Sequence, residues 1–110
     1  MKHSIVYFVV PCYNEDGILQ MTAGVLKEKL AKLIEQKVIS LQSKVLFVDD
    51  GSKYTTWRII EQLSTESILF TAIKLSRNKG HQNALLAGLI EASKCAAVTI
   101  SIDADLQDDI

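Results

Sequence analysis

The chain has 110 residues, enough for one domain with a modest core of its own. Hydrophobic residues make up 48% and charged residues 23%, the balance of a globular protein, and a formal net charge of −1 offers no general electrostatic pull toward nucleic acid or anionic lipid. No stretch approaches the roughly 18 apolar residues of a membrane span. The two cysteines, Cys12 and Cys95, match no metal or redox spacing, so a reduced, cytoplasmic setting is expected.

The first element is "SIVYFVV" (4–10), a short run of β-branched and aromatic residues that suits a strand buried on both faces. It is too short for a signal-peptide core, and Pro11, which cannot donate to a sheet ladder, is expected to close it. A long helix follows over 15–36, where Leu19, Ala23, Leu26, Leu30 and Leu33 make one apolar stripe among lysines and glutamates. "KVLFVDD" (44–50) is a second strand ended by Gly51 and Ser52, and 55–65 a shorter helix packing Trp57, Ile60 and Leu63. "ILFTAIKL" (68–75) is a third strand, 80–93 a third helix and "AAVTISID" (96–103) a fourth strand. Gly88, in the interior of the third helix, costs about 1 kcal/mol against alanine, which predicts close helix–sheet packing there. Four strands alternating with three helices predict an α/β fold with right-handed crossovers. The expected architecture is a Rossmann-like parallel sheet of order 3-2-1-4 with helices on both faces.

In such sheets ligands bind beyond the carboxyl ends of the strands, at the switch point between strands 1 and 4. The segments that follow the four strands are "PCYNE", "DDGS", "SRNKGHQ" and "DADLQDD", so the unusual polar chemistry gathers on that one edge. Asp49 and Asp50 are adjacent and point to opposite faces of an extended chain; one can enter the crevice while the other caps the turn. A carboxylate there is placed to accept hydrogen bonds from a ribose or a base. Neither a G-x-G-x-x-G nor a G-x-x-x-x-G-K-[ST] loop occurs, so a diphosphate needs another counter-charge. "DADLQDD" supplies the means: four carboxylates within seven positions repel one another unless a cation joins them. Asp103 and Asp105 project to one side of an extended segment, and Gln107 continues the spacing with a carbonyl oxygen. Magnesium takes one or two carboxylates plus substrate phosphates and waters, a donor set this motif fits.

"VVPCYNE", "VDDGS", "SRNKGHQNALLAGL" and "DADLQDD", in this order and spacing, resemble the start of the family-2 glycosyltransferases of GT-A fold. Within them the chain is similar to the dolichyl- and polyprenyl-phosphate sugar transferases, and the resemblance covers essentially all 110 residues. It implies an enzyme that transfers a sugar, with inversion, from a UDP- or GDP-linked donor to an acceptor, a polyprenyl phosphate in that group, with Mg2+ or Mn2+ as cofactor. It further implies that Pro11, Tyr13, Glu15, Val48 and Asp50 contact the nucleoside. Asp103, Ala104 and Asp105 would hold the sugar-nucleotide, Asp103 and Asp105 as the catalytic pair, and Asp105 with Gln107 would ligate the metal.

The sequence departs from the family pattern in three places. "KYTTW" lacks an aspartate common after "DDGS", Lys79 stands where an aromatic is common, and Asp109 and Ile110 stand where prolines are usual. Relatives continue well beyond the metal motif, so residues 1–110 are expected to form the nucleotide-sugar-binding part of a longer transferase domain. The parent protein would sit at the cytoplasmic face of a membrane, and the 110 residues alone would be inactive and would self-associate through an uncovered sheet edge. No nucleic-acid partner is expected.

Other readings stand beside these. Tyr13 can stack on a base or pack its loop, Glu15 can be a ligand or a first-turn helix residue, and His81 can face phosphate or cap a helix. Arg77 and Lys79 can neutralise a diphosphate or simply face solvent. A non-catalytic nucleotide-binding or regulatory module would use the same crevice, and a phosphoacceptor receiver would need an isolated aspartate and a later lysine that this arrangement lacks.

Overall fold

The computed structural model describes residues 3–105. The elements run β1 (Val6–Cys12), α1 (Leu19–Glu35), β2 (Lys44–Asp49), α2 (Tyr54–Glu66), β3 (Phe70–Lys74), α3 (His81–Ser93) and β4 (Val98–Ser101). The strands form one parallel sheet in the order β3-β2-β1-β4, as the crossover argument predicts. β1 and β2 are central, and every residue of β1 is buried.

Alternation along the central strands divides the core into two layers. Val6, Phe8, Val10 and Cys12 of β1, with Val45 and Phe47 of β2, face α1 and α2, where Leu19, Ala23, Leu26, Leu30 and Ile60 close the layer. Tyr7, Val9, Leu46 and Val48 face α3, whose Ala84 and Ala92 lie directly on them. Small residues on α3 bring the helix close to the sheet. A Cβ added to Gly88 would stand 2.5 Å from Val9 Cγ1 and 2.6 Å from Val48 Cγ2, so the predicted tight packing is present.

The expected end of β1 and start of α1 both move. β1 does not stop before Pro11 but runs through it to Cys12, with Pro11 opposite Val48. In a parallel strand successive residues turn their polar groups to alternate neighbours. Val9 accepts from Ile102 on the β4 side, and Cys12 accepts from Asp50 on the β2 side. Pro11 therefore turns its missing N–H toward β4, whose pairing with β1 ends at Val9 and Ser101. The missing donor thus falls where pairing with β4 stops, and the register with β2 is kept, so the proline is tolerated.

α1 begins at Leu19, four residues later than its periodicity suggests. Asn14 takes a left-handed φ of 53°, and Ile18 and Leu19 donate backbone bonds to the Glu15 carbonyl, so a turn precedes the helix. At its other end Lys37 has φ 60°, Val38 donates to Leu33 O and Lys37 to Ile34 O, a Schellman closure.

Candidate functional site

The carboxyl ends of β1 and β2, the loop after β3 and the start of α3 surround one cleft of about 160 Å³. It is lined by Pro11, Cys12, Tyr13, Glu15, Asp50, Asn78, Gly80 and His81. Small-molecule sites commonly enclose about 300–1,000 Å³, so this cleft seats one part of a nucleotide-sized ligand. A larger groove of about 510 Å³ opens at the opposite edge of the sheet, between Ile5, Tyr7, Leu41 and Ile68, but no carboxylates converge on it.

The pair at the end of β2 divides as adjacent strand residues must. Asp49 lies opposite Cys12 and is fully buried; its Oδ1 accepts from the Ser52 backbone at 3.3 Å. Its Oδ2 has no hydrogen-bond partner among the described residues. Asp50, 3% exposed, lines the cleft, and its Oδ1 accepts from the Lys79 backbone N–H at 2.7 Å. That bond draws the loop after β3 against the turn after β2. Gly51 makes the approach feasible: its φ is 71°, and a Cβ there would lie 2.3 Å from Asn78 N.

Glu15 is half-buried on the β1 loop. Burial, and then the charges of Asp105 and Asp103, push its carboxyl above the ordinary range, while a hydrogen bond from the Tyr13 backbone and the nearby His81 pull it down. Glu15 therefore lies within electrostatic reach of Asp105 and Asp103. His81 Nε2 stands 3.8 Å from Asp103 Oδ1, which joins the start of α3 to the segment after β4. Burial, then Glu15 and Asp49, push the Cys12 thiol far upward; it donates to Val10 O at 3.3 Å and is an unreactive wall of the cleft.

The structure brings Pro11, Tyr13, Glu15 and Asp50 together around the cleft, with Tyr13 48% exposed at its mouth. Asp103 and Asp105 reach the same region through Glu15 and His81. Val48 is elsewhere: its side chain is buried under α3 against Gly88. Ala104 is buried too, and its carbonyl accepts from Thr22 Oγ1 at 2.6 Å, which anchors the segment between the two aspartates to α1. The strand expected over 96–103 ends at Ser101, and Ala104 and Asp105 lie in a turn. Extended alternation is thus not what brings the two carboxylates to one place; the Ala104 anchor and the turn set their directions. Gln107 lies outside the described residues.

Among the described residues no group of three or more His, Cys, Asp or Glu is arranged to hold a metal ion. The chemistry of the donors still fits one. Asp103 and Asp105 offer hard carboxylate oxygens, and magnesium needs only one or two of them when substrate phosphates complete its shell. Sequence reading passed over Asn14 and Asn78. An asparagine in a loop between a strand and a helix is the signal for the first, because it tolerates a left-handed φ and bonds neighbouring backbone.

Comparison with known proteins places this geometry. The chain is 51% identical over its whole length to the uncharacterized glycosyltransferase YkoT of Bacillus subtilis (strain 168), of which it covers 33%. It is 34% identical to the bactoprenol glucosyl transferase of Shigella phage SfV, with 96% of this chain and 32% of that protein aligned. It is 33% identical to the undecaprenyl-phosphate 4-deoxy-4-formamido-L-arabinose transferase of Proteus mirabilis (strain HI4320), with 96% and 30% aligned. It thus spans about a third of the length of these relatives. Among solved structures, the mannosyltransferase PcManGT of Pyrobaculum calidifontis, in complex with GDP-Man and Mn2+, shares the fold with a TM-score of 0.69 at 24% identity, over 96% of this chain and 28% of that one. The family model for glycosyl transferase family 2 matches residues 7–110, and with these relatives and this sheet order the chain belongs to that family, as the N-terminal portion of a GT-A fold.

Proposed function

We propose that the cleft binds the nucleoside diphosphate of a sugar donor and that the protein transfers the sugar, with inversion, to a polyprenyl phosphate. The observation that carries this reading is the convergence of Tyr13, Glu15, Asp50 and His81 on one cleft, with Asp103 3.8 Å from His81. Relatives named for bactoprenol and undecaprenyl phosphate support the acceptor, and a neighbour holding GDP-Man and Mn2+ supports a nucleotide-sugar donor and a divalent cation.

In this reading Tyr13 stacks on the base at the cleft mouth, and Asp50, already held by the Lys79 N–H, accepts from base or ribose. Pro11 forms a wall, and Val48 acts from below as the floor that fixes β2. Asp103 and Asp105 face the diphosphate, Ala104 holds them in place through the bond with Thr22, and Asp105 with Gln107 would hold Mg2+ or Mn2+. When bound, the cation supplies Lewis-acid stabilisation of the leaving diphosphate. The acceptor phosphate is anionic at neutral pH, so this chain needs no general base to activate it. A polyprenyl-phosphate acceptor lies in a membrane, and in this reading the parent protein works at the cytoplasmic face of one. Among the described residues no helix is long and apolar enough to cross one.

Calorimetric titration of UDP and GDP, with and without Mn2+, tests the site. One of the two should bind with metal dependence, and Asp105→Asn should abolish that dependence by removing a charged oxygen ligand. Unchanged metal-dependent binding by Asp105→Asn would move the ligand assignment away from Asp105. Sugar transfer by the full-length parent distinguishes an enzyme from a nucleotide-binding module.

A further inference from the structure

We propose that Asn14 is a positioning residue of the cleft: with Ser52 it forms a two-bond latch that fixes the loop carrying Tyr13 and Glu15 against the turn after β2. The bonds are reciprocal. The Asn14 backbone N–H donates to Ser52 Oγ at 2.9 Å, and the Asn14 side-chain Oδ1 accepts from the Lys53 backbone N–H at 2.8 Å.

The latch spans 38 and 39 positions of sequence and joins two segments that no sheet ladder holds, since β1 ends at Cys12 and β2 at Asp49. Asn14 pays for the geometry with a φ of 53°, a left-handed conformation that asparagine tolerates far better than most residues. That conformation turns the chain between Tyr13 and Glu15, so the two flanking residues both line the cleft. An outer pair reinforces the same junction: Asp16 accepts from Thr55 Oγ1 at 3.1 Å and from Thr56 Oγ1 at 3.4 Å. On the far side Asp50 holds the Lys79 N–H. The turn over 50–53 is therefore a hub, tied to the β1 loop by Asn14 and to the β3 loop by Asp50. Such ties set a cleft before its ligand arrives, which reduces the ordering cost of binding.

The consequence for donor affinity rests on the proposed function; the latch itself does not. The test uses Asn14→Gly, which accepts the φ but lacks the Oδ1 acceptor, Asn14→Asp, which keeps both, and Ser52→Ala, which deletes the other acceptor. Two measurements are made on each: amide hydrogen exchange at residue 14 and Lys53, and calorimetric affinity for UDP and for GDP with Mn2+. Asn14→Gly and Ser52→Ala should each speed exchange at both amides, including the one whose partner is untouched, while exchange in β1 and β2 stays at the wild-type rate. Whichever nucleotide the wild type binds should bind about 5- to 10-fold more weakly, the worth of one hydrogen bond, and Asn14→Asp should restore both readouts. Exchange at Lys53 unchanged in Asn14→Gly would overturn the latch. Faster exchange with unchanged nucleotide affinity would overturn its positioning role. A wild type that binds neither nucleotide would refute the donor reading, and exchange alone would then decide the latch.

Discussion

Asp49 and Asp50 share a backbone step, yet one is an anchor and the other a cleft wall, and strand alternation made that division legible before any coordinates. Which of the two entered the cleft depended on the phase of β2, which Val45, Phe47 and Asp49 set by facing α1 and α2. Glu15 was ambiguous for a physical reason: a carboxylate in a first helical turn and a carboxylate in a cleft look alike in sequence, and only the late start of α1 separates them. Its environment gives a pH prediction. The folded state raises the Glu15 carboxyl, through burial first and then through Asp105 and Asp103. A raised carboxyl holds its proton more tightly when folded, so ionising it costs the native state. That cost is absent below the ordinary carboxylate range and complete above the raised value. In metal-free buffer with a chelator, the contribution of Glu15 to stability should therefore fall as pH rises through and just above the ordinary carboxylate range. Glu15→Gln should flatten this part of the profile. Urea unfolding at a series of pH values between about 4 and 8 measures both, and equal slopes in the two proteins would show that Glu15 carries no such strain.

At the scale of the element, existence was legible throughout; the edges of β2, α2 and α3 fell within a residue of expectation, while those of β1, α1, β3 and β4 moved. The stripe of Leu19, Ala23, Leu26 and Leu30 is fully buried as its spacing requires. The helix start and the passage of β1 through Pro11 depended instead on tertiary partners: a bond from Ile102 and the left-handed Asn14. Sequence propensity carries no record of which neighbour a proline faces. Two glycines in helices separate local propensity from packing. Gly24 in α1 is exposed, and a Cβ there meets nothing within 4 Å, so Gly24→Ala should stabilise by up to about 1 kcal/mol. Gly88 in α3 offers the same propensity gain, but its Cβ would enter the methyl groups of Val9 and Val48 at 2.5 and 2.6 Å. Both valines are fully buried in the central strands and have little room to give. Overpacking of this kind costs about 1–3 kcal/mol, so Gly88→Ala should lower stability despite the better helix former. Thermal or urea midpoints of the two variants should move in opposite directions, and a stabilised Gly88→Ala would mean that α3 lifts from the sheet at little cost.

For the whole molecule, alternation of strands and helices gave the parallel sheet, and the Rossmann-like order expected for it is the one observed, β3-β2-β1-β4, which sets the edge on which the polar loops meet. What the sequence left open was how the last acidic segment is aimed, because the turn at Ala104 replaces an extended strand and is set by Thr22, 82 positions away. The same topology leaves β4 with one neighbour. Among the described residues no strand pairs with its outer side, and Val98 and Ile100 are 45% and 43% exposed. These two residues stand beside Val6 and Phe8, so they extend the α1 and α2 layer of the core to the rim of the sheet. A bare edge offers unpaired N–H and C=O groups as a template for another strand, and an apolar rim adds area to whatever pairs there. The 110-residue chain should therefore self-associate at micromolar concentrations, with a second copy at the β4 edge. Ile100→Lys puts a charge on that rim, at a position already open to water, and should shift the population toward monomer without a large loss of stability. Sedimentation velocity over a concentration series reads both. A wild type that stays monomeric throughout would show that the edge is protected, and an association that survives Ile100→Lys would move the contact to another face, with the exposed Leu86 and Ile90 of α3 the next to substitute.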